Sequence, residues 1–267
     1  MDIISKNEID SLISVDLKSE LNITVLEKTE STNLLLKNMA ANGAEEGTVV
    51  IAGEQTGGIG RMGRSFFSPG NTGIYMSLLL KPDIEPQKSV FITTAAAVAV
   101  CRALEKNGIE NAGIKWVNDI YVNGKKVCGI LTQGSIIPES KKLGFAILGI
   151  GINVYQPEEG FPEEIQNIAD SIFKEKKAGL RSKIIADILT CFYEIYDSFN
   201  ECAYVEEYIN RSIIIGKRVD VLAGNSVKRA LVTGIDKDCK LCVEYEDGSC
   251  DALDSGEVSL RLEPNMP

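Results

Sequence analysis

The sequence predicts an α/β (α+β) protein: a central mixed β-sheet flanked by helices, followed by a small C-terminal β-barrel. Three observations lead there. Apolar runs of strand length are interleaved with helix-period segments through most of the chain. Asn123-Gly124 stands between two alternating apolar runs, a hairpin signal. Beyond Gly216 only short strands follow, separated by turn residues.

In chain order, a short amphipathic helix covers Glu8 to Ile13 and a strand covers Ile23 to Leu26. Ser31 or Thr32 supplies a hydroxyl N-cap for a helix from Leu34 to Ala41, which Asn42-Gly43 stops. Strands at Thr48–Ala52 and Ile74–Leu80 flank a glycine-rich loop. Pro86 opens a helix to Lys106 that buries most of its sides, and Gly108 closes it. The Asn123-Gly124 hairpin sets Lys126 across from Tyr121 or near it, with Lys115, Trp116, Asn118 and Asp119 just ahead. A strand from Leu143 to Val154 contains Gly149 and Gly151, which mark a bulge or a close approach of ligand to backbone. A short helix over Pro162 to Ile172, a long one over Ser182 to Phe199 and another over Tyr204 to Asn210 complete the first part. The strands 218–222, 228–235, 241–245 and 258–261 then form a barrel of SH3-like size, giving domains of residues 1–213 and 214–267.

Composition restricts the chemistry. With 267 residues and 44% hydrophobic content the chain can bury a substantial core. No run nears the roughly 18 apolar residues of a membrane span, and Met1 to Glu8 lack a signal-peptide core, so a cytoplasmic protein without membrane contact is expected. A net charge of −10 argues against binding nucleic-acid backbones, and no nucleic-acid partner is expected. The seven cysteines read as free thiols; Cys239-x-x-Cys242 with Cys250 lacks a fourth zinc ligand in a chain without histidine. The absence of histidine also excludes Ser-His-Asp and Cys-His machinery. What is left is catalysis by positioning and charge, of which phosphoryl or nucleotidyl transfer is the usual case.

The loop from Glu54 to Arg64 fits that chemistry. It holds four glycines and two arginines with no acidic residue after Glu54, an arrangement suited to phosphate or carboxylate. Its Gly58-x-Gly60-x-x-Gly63 pattern is not a dinucleotide fingerprint, because a turn and another strand follow it instead of a helix. Asn118 or Asp119 beside lysines could hold Mg²⁺ and nucleotide phosphates, and Asn153 could offer an amide to a base, a ribose or a phosphate.

Six segments occurring together resemble the biotin–protein ligases: Ser31-Thr32-Asn33, the Gln55–Arg64 loop, Lys115-Trp116-x-Asn118-Asp119, Lys126-x-x-Gly129-Ile130-Leu131, Gly149–Asn153 and 256–261. The resemblance implies the catalytic fold shared with class II synthetases and lipoate ligases. It implies that biotin and ATP give biotinyl-5′-adenylate and pyrophosphate, after which biotin passes to a lysine of a biotin carboxyl carrier domain. By position, Ser31, Thr32, Asn33, Gln55, Gly58, Ile59, Gly60, Arg61, Lys126 and Gly129 would bind biotin or its adenylate, with Lys126 and Arg61 catalytic. Arg64, Trp116, Asn118, Asp119 and Asn153 would lie on the ATP and Mg²⁺ side. Two departures stand out. Ile59 replaces an arginine of the family's loop, and the N-terminal DNA-binding domain of bifunctional members is missing, which implies an enzyme without repressor activity. Two chains could pair through exposed edge strands. The alternatives are a lipoate or octanoyl ligase and a non-catalytic biotin-sensing adaptor.

Overall fold

The structure, a computed structural model, describes residues 2–137, 139, 141–199, 202–223, 226–254 and 257–260. Seven strands, β1 (Asn22–Leu26), β2 (Thr48–Ala52), β3 (Gly73–Leu80), β4 (Gly113–Lys115), β5 (Asp119–Val122), β6 (Lys125–Ile136) and β7 (Leu143–Asn153), form one sheet in the order β1-β2-β3-β7-β6-β5-β4. β1 and β2 run parallel and the other neighbours antiparallel, so the sheet is mixed as predicted. Asn123 and Gly124 both take positive φ, 51° and 76°, which is what a two-residue type I′ hairpin demands, and Lys126 pairs with Tyr121.

Alternation along the strands decides what each face does. On one face Val49, Ile51, Met76, Leu78, Leu148 and Ile150 join the main core with the helices α4 (Val90–Lys106) and α5 (Leu180–Tyr196). On the other face Val50, Leu79 and Ile147 bury against Leu36 and Ala40 of α3 (Thr32–Ala41). Farther along that second face the residues turn small or polar: Tyr75, Ser77, Gly129, Gln133, Gly149, Gly151 and Asn153. The candidate site lies there.

The helices α1 (Lys6–Leu12), α2 (Val15–Glu20) and α6 (Tyr204–Asn210) pack around this frame, each burying an apolar stripe. The first residues are tied in by a buried ion pair, Arg181 Nε to Asp2 Oδ2 at 3.3 Å, and Arg181 Nη1 donates to the carbonyl of Gly73 at 3.0 Å. Five further strands, β8 (Arg218–Ala223), β9 (Ser226–Ile235), β10 (Leu241–Tyr245), β11 (Cys250–Leu253) and β12 (Glu257–Leu260), make an antiparallel sheet in the order β11-β10-β9-β8-β12. Val219, Val221, Val232, Leu241 and Val258 of that sheet join the same core as the large one. Trp116 Nε1 donates to the carbonyl of Cys239 at 2.8 Å, and Tyr208 donates to the carbonyl of Val117 at 3.1 Å.

Several expectations need correction. Residues 162–172 form turns, not a helix, because their backbone groups pair with the sheet: Lys126 N donates to Ile168 O, Asp170 N to Lys126 O and Ile172 N to Asn153 O. Gly149 and Gly151 mark no bulge, since β7 keeps its register with β3 and β6 through both. Cys239 takes φ of 60° in the turn between β9 and β10. α2 and β11 were not expected, and α3 starts at Thr32. Of the segment 256–261, Gly256 and Arg261 lie outside the described residues. Among the described residues no helix is long and apolar enough to cross a membrane.

Candidate active site

A cavity of about 240 Å³ opens on the polar part of the second face. Ser31, Thr32, Asn33, Gln55, Ile59, Gly60, Arg61, Arg64, Trp116, Asn118, Asp119, Lys126, Gly129 and Asn153 all line it. These come from five separate stretches of chain, so the sheet and the loop between β2 and β3 are what bring them together. Gly58 alone of the candidates is not among the lining residues. A Cβ there would stand 2.4 Å from the carbonyl oxygen of Phe66 and 2.7 Å from Ser68 Oγ, so its role is to let the loop fold back on itself.

That loop is a closed hairpin. Phe66 N donates to Gly58 O at 2.8 Å and Gly60 N to Arg64 O at 2.7 Å, around a tight turn at Arg61–Gly63 where Met62 and Gly63 take positive φ. Its start continues the β1–β2 pairing, with Gly57 N on Glu30 O at 2.8 Å and Thr56 N on Thr29 O at 3.0 Å. Arg61 is thereby delivered over the sheet, where Nη1 donates to Asn118 Oδ1 at 3.0 Å. Asn118 is oriented in turn by donating Nδ2 to the carbonyl of Ile130 at 2.8 Å.

Lys126 Nζ lies 2.7 Å from Asp119 Oδ1, with both side chains partly exposed. The backbone of Lys126 is held on both sides, N–H to Ile168 O at 2.8 Å and C=O from Asp170 N at 3.0 Å, which fixes where the side chain starts. Asn153 Nδ2 donates to the carbonyl of the same Asp170 at 3.2 Å. Arg61, Arg64, Lys115 and Lys126 are the cationic lining residues and Asp119 is the one carboxylate among the described lining. In a chain of net charge −10 this is a local reversal of sign, built for anions.

The opposite end, beside the N-terminus of α3, is neutral. Ser31 caps the helix through Leu34 N at 3.4 Å. Gln55 Oε1 accepts from Thr32 N at 2.9 Å, and Gln55 Nε2 donates to Ser68 Oγ at 3.0 Å. Between the two ends the sheet carries little side-chain bulk. A Cβ on Gly151 would meet the Phe66 ring at 2.5 Å, and one on Gly149 would meet Asn33 Oδ1 at 2.1 Å. The strand glycines thus make room for Asn33 and Phe66, and both line the cavity themselves. Phe66 and Tyr75 stand edge to face at 6.4 Å, and burial pushes the Tyr75 hydroxyl up to about 12, so it remains a donor, here to Pro69 O at 2.9 Å. Burial also raises the Cys128 thiol well above its ordinary range, which disqualifies it as a nucleophile. Among the described residues no cluster of three His, Cys, Asp or Glu side chains is placed to hold a metal.

Sequence reasoning did not pick out Phe66, Phe161, Ile165, Ile168 and Val258, which also line the cavity. Nor did it pick out Ser77 and Gln133, which hydrogen-bond to lining residues. Ser77 carries a usable signal, being a serine in the otherwise apolar, buried strand β3.

Comparison with known proteins matches residues 25–153 to the Biotin/lipoate A/B protein ligase family and residues 214–261 to the Biotin protein ligase C terminal domain. The chain is 36% identical over 248 residues to the Bifunctional ligase/repressor BirA of Bacillus subtilis (strain 168), covering 90% of this chain and 75% of that protein. It is 29% identical over 243 residues to the Biotin--[acetyl-CoA-carboxylase] ligase of Mycobacterium tuberculosis, covering 88% of each. The solved biotin protein ligase from Aquifex aeolicus in complex with biotin and ATP superposes with a TM-score of 0.74 at 27% identity, covering 91% of this chain and 99% of that one. With two domain matches in the same order and a relative above 30% identity over most of its length, the chain belongs to the Biotin/lipoate A/B protein ligase family, among its biotin protein ligases.

Proposed function

We propose that the cavity joins biotin to ATP and passes the biotinyl group to a lysine of a biotin carboxyl carrier domain. The observation that carries this reading is the division of one cavity into a neutral, hydrogen-bonding end and a cationic end. A biotin head group suits the first, while its carboxylate and the ATP phosphates need the second.

In the first step a carboxylate oxygen attacks the α-phosphorus and pyrophosphate leaves. Two anions must meet, so Lys126 and Arg61 serve as the catalytic cations, on the carboxylate and on the oxygens that gain charge in the transition state. Ser31, Thr32, Asn33 and Gln55 hold the head group, with Ile59, Gly60 and Gly129 along its chain. Arg64, Trp116, Asn118, Asp119 and Asn153 serve the nucleotide. In the second step the amine of the acceptor lysine attacks the acyl carbon and AMP departs with the bonding pair. Closure of the 58–66 hairpin over the mixed anhydride keeps water away from it. Magnesium fits the donor set, since one carboxylate (Asp119) and the amide oxygens of Asn118 and Asn153 are the hard ligands such an ion combines with phosphate oxygens. When bound it would offset phosphate charge. We also place the boundary of the catalytic unit at residue 213, with residues 214–267 as the second unit.

The match of 214–261 to a biotin-ligase domain supports biotin over lipoate. The test is pyrophosphate release with ATP and either biotin or lipoate, followed by mass analysis of an added carrier domain. Biotin-dependent release and a single biotinylated lysine are expected. Release with lipoate alone would overturn the reading, and release with neither would favour an adaptor.

A further inference from the structure

The neutral end of the cavity is wired through the sheet. The carboxamide of Asn33 lies on Gly149, whose register partners are Ser77 on β3 and Leu131 on β6. It therefore reaches across three strands. Its Nδ2 is 3.0 Å from Gln133 Oε1 and 3.5 Å from the carbonyl of Leu131, and its Oδ1 is 2.6 Å from Ser77 Oγ. Ser77 Oγ is also 2.8 Å from Thr32 Oγ1, which is 3.1 Å from Gln55 Oε1. Ser77 is fully buried, and Thr32 and Asn33 nearly so.

The amides at both ends are oriented by backbone groups that cannot change role. Thr32 N–H can only donate, which turns Gln55 Oε1 toward it, and the Leu131 carbonyl can only accept, which turns Asn33 Nδ2 toward it. The chain from Asn33 Oδ1 to Gln55 Oε1 thus has three oxygen–oxygen contacts (Asn33–Ser77, Ser77–Thr32 and Thr32–Gln55), two end atoms that only accept, and the hydrogens of two hydroxyls. One contact must lack a hydrogen. The shortest, at 2.6 Å, has the greatest need of one, so the Ser77 hydrogen sits on Asn33 Oδ1. Thr32 Oγ1 then receives no hydrogen within the chain, whichever way its own points, and is left with acceptor capacity.

We infer that Gln133 is a positioning residue that, through Asn33 and the relay hydroxyl of Ser77, keeps the Thr32 hydroxyl an acceptor for an N–H of the bound head group. This rests on the reading of the site as a biotin site, whose cyclic urea carries two such N–H groups. Gln133 acts at one remove: by accepting from Asn33 Nδ2 it holds the carboxamide oxygen on Ser77. A donor at position 133 would reverse the carboxamide, its Nδ2 would donate to Ser77, and the Ser77 hydrogen would move onto Thr32 Oγ1 and fill the acceptor. Gln133 is only partly buried, so its side chain can be changed without opening the core.

The test compares Gln133→Lys, Gln133→Glu and the double variant Gln133→Lys/Ser77→Ala with wild type in biotin-dependent pyrophosphate release, with thermal unfolding beside it. Gln133→Lys should raise the KM for biotin about tenfold, the loss of about one hydrogen bond, with the KM for ATP within about twofold of wild type. Gln133→Glu still presents an acceptor to Asn33 and should restore wild-type biotin KM. Adding Ser77→Ala to Gln133→Lys removes the hydrogen that would fill Thr32 Oγ1 and should bring biotin KM most of the way back to wild type. An analogue of biotin methylated on a ring nitrogen should bind less well than biotin to wild type, with that penalty much reduced in Gln133→Lys. An active wild type whose biotin KM is indifferent to Gln133→Lys, or a double variant no better than Gln133→Lys, would overturn the inference alone. Equal rises in biotin and ATP KM, or failure of Gln133→Glu to restore, would reduce Gln133 to a structural residue. A wild type without biotin-dependent release would overturn the function instead.

Discussion

At the α3 end of the cavity the side chains are neutral, nearly all buried and hydrogen-bonded to one another: Thr32, Asn33, Ser68 and Ser77 are each at most 5% exposed. At the β5–β6 end they are charged and wetter, with the Lys126 and Asp119 side chains 29% and 20% exposed. The difference follows from desolvation. A neutral amide or hydroxyl can be buried in advance at little cost once it is hydrogen-bonded, so the neutral end is finished before ligand arrives. Burying a charge without its partner costs far more, so the cations stay partly solvated, or rest on Asp119 and Asn118, until an anion replaces those contacts. One end is preorganised and the other is held in reserve.

The largest effect is expected at the charged end. Lys126→Ala should lower the rate of adenylate formation by about 10²–10³-fold, as loss of a transition-state charge contact does, with little change in melting temperature because the side chain is partly solvated. Pyrophosphate release and a thermal scan measure both, and full activity would break the comparison. At the neutral end, Gly149→Ala drives a Cβ to 2.1 Å from Asn33 Oδ1. Overpacking of this kind costs about 1–3 kcal/mol, so biotin affinity, measured by calorimetry, should fall roughly 5- to 150-fold while ATP affinity holds. Trp116→Phe removes the 2.8 Å bond to Cys239 and should lower stability by about 1 kcal/mol in denaturant titration.

The smallest effect concerns alkali. Burial raises the Tyr75 hydroxyl from 10.0 to about 12, so the stabilisation it gives is complete below pH 10 and is lost as pH climbs to 12. Over that window the melting temperature of wild type should drop more steeply than that of Tyr75→Phe, whereas at neutral pH this ionisation contributes nothing to the difference between the two.

How much of this was legible in advance differs between the ends as well. The cationic end was readable because Arg61, Arg64, Asn118, Asp119 and Lys126 cluster in short loops and a hairpin whose turn chemistry, Asn123-Gly124, is local. The neutral end was only half readable. Ser31, Thr32 and Asn33 announce a helix start, but their partners Ser77 and Gln133 lie 44 and 100 residues from Asn33 and meet it only through strand register. The strand glycines signal close approach to the backbone, but that Asn33 and Phe66 are among the groups that approach is not readable, because they come from elements far away in sequence. Residues 162–172 carry enough helix formers to suggest a helix, yet pairing with Lys126 and Asn153 outweighs that local preference. β11, Cys-Asp-Ala-Leu, has almost no strand-forming residues and exists because β10 offers it an edge.

The placement of Trp116 gives the molecule an intrinsic optical gauge. The chain has a single indole, it is buried, it borders the cavity, and its N–H is held by the Cys239 carbonyl in the turn between β9 and β10. Its emission should therefore respond both to nucleotide arriving beside it and to the C-terminal strands coming away. A red shift that precedes loss of helical circular dichroism during denaturation would mean that the smaller sheet detaches first, with no label attached to the protein.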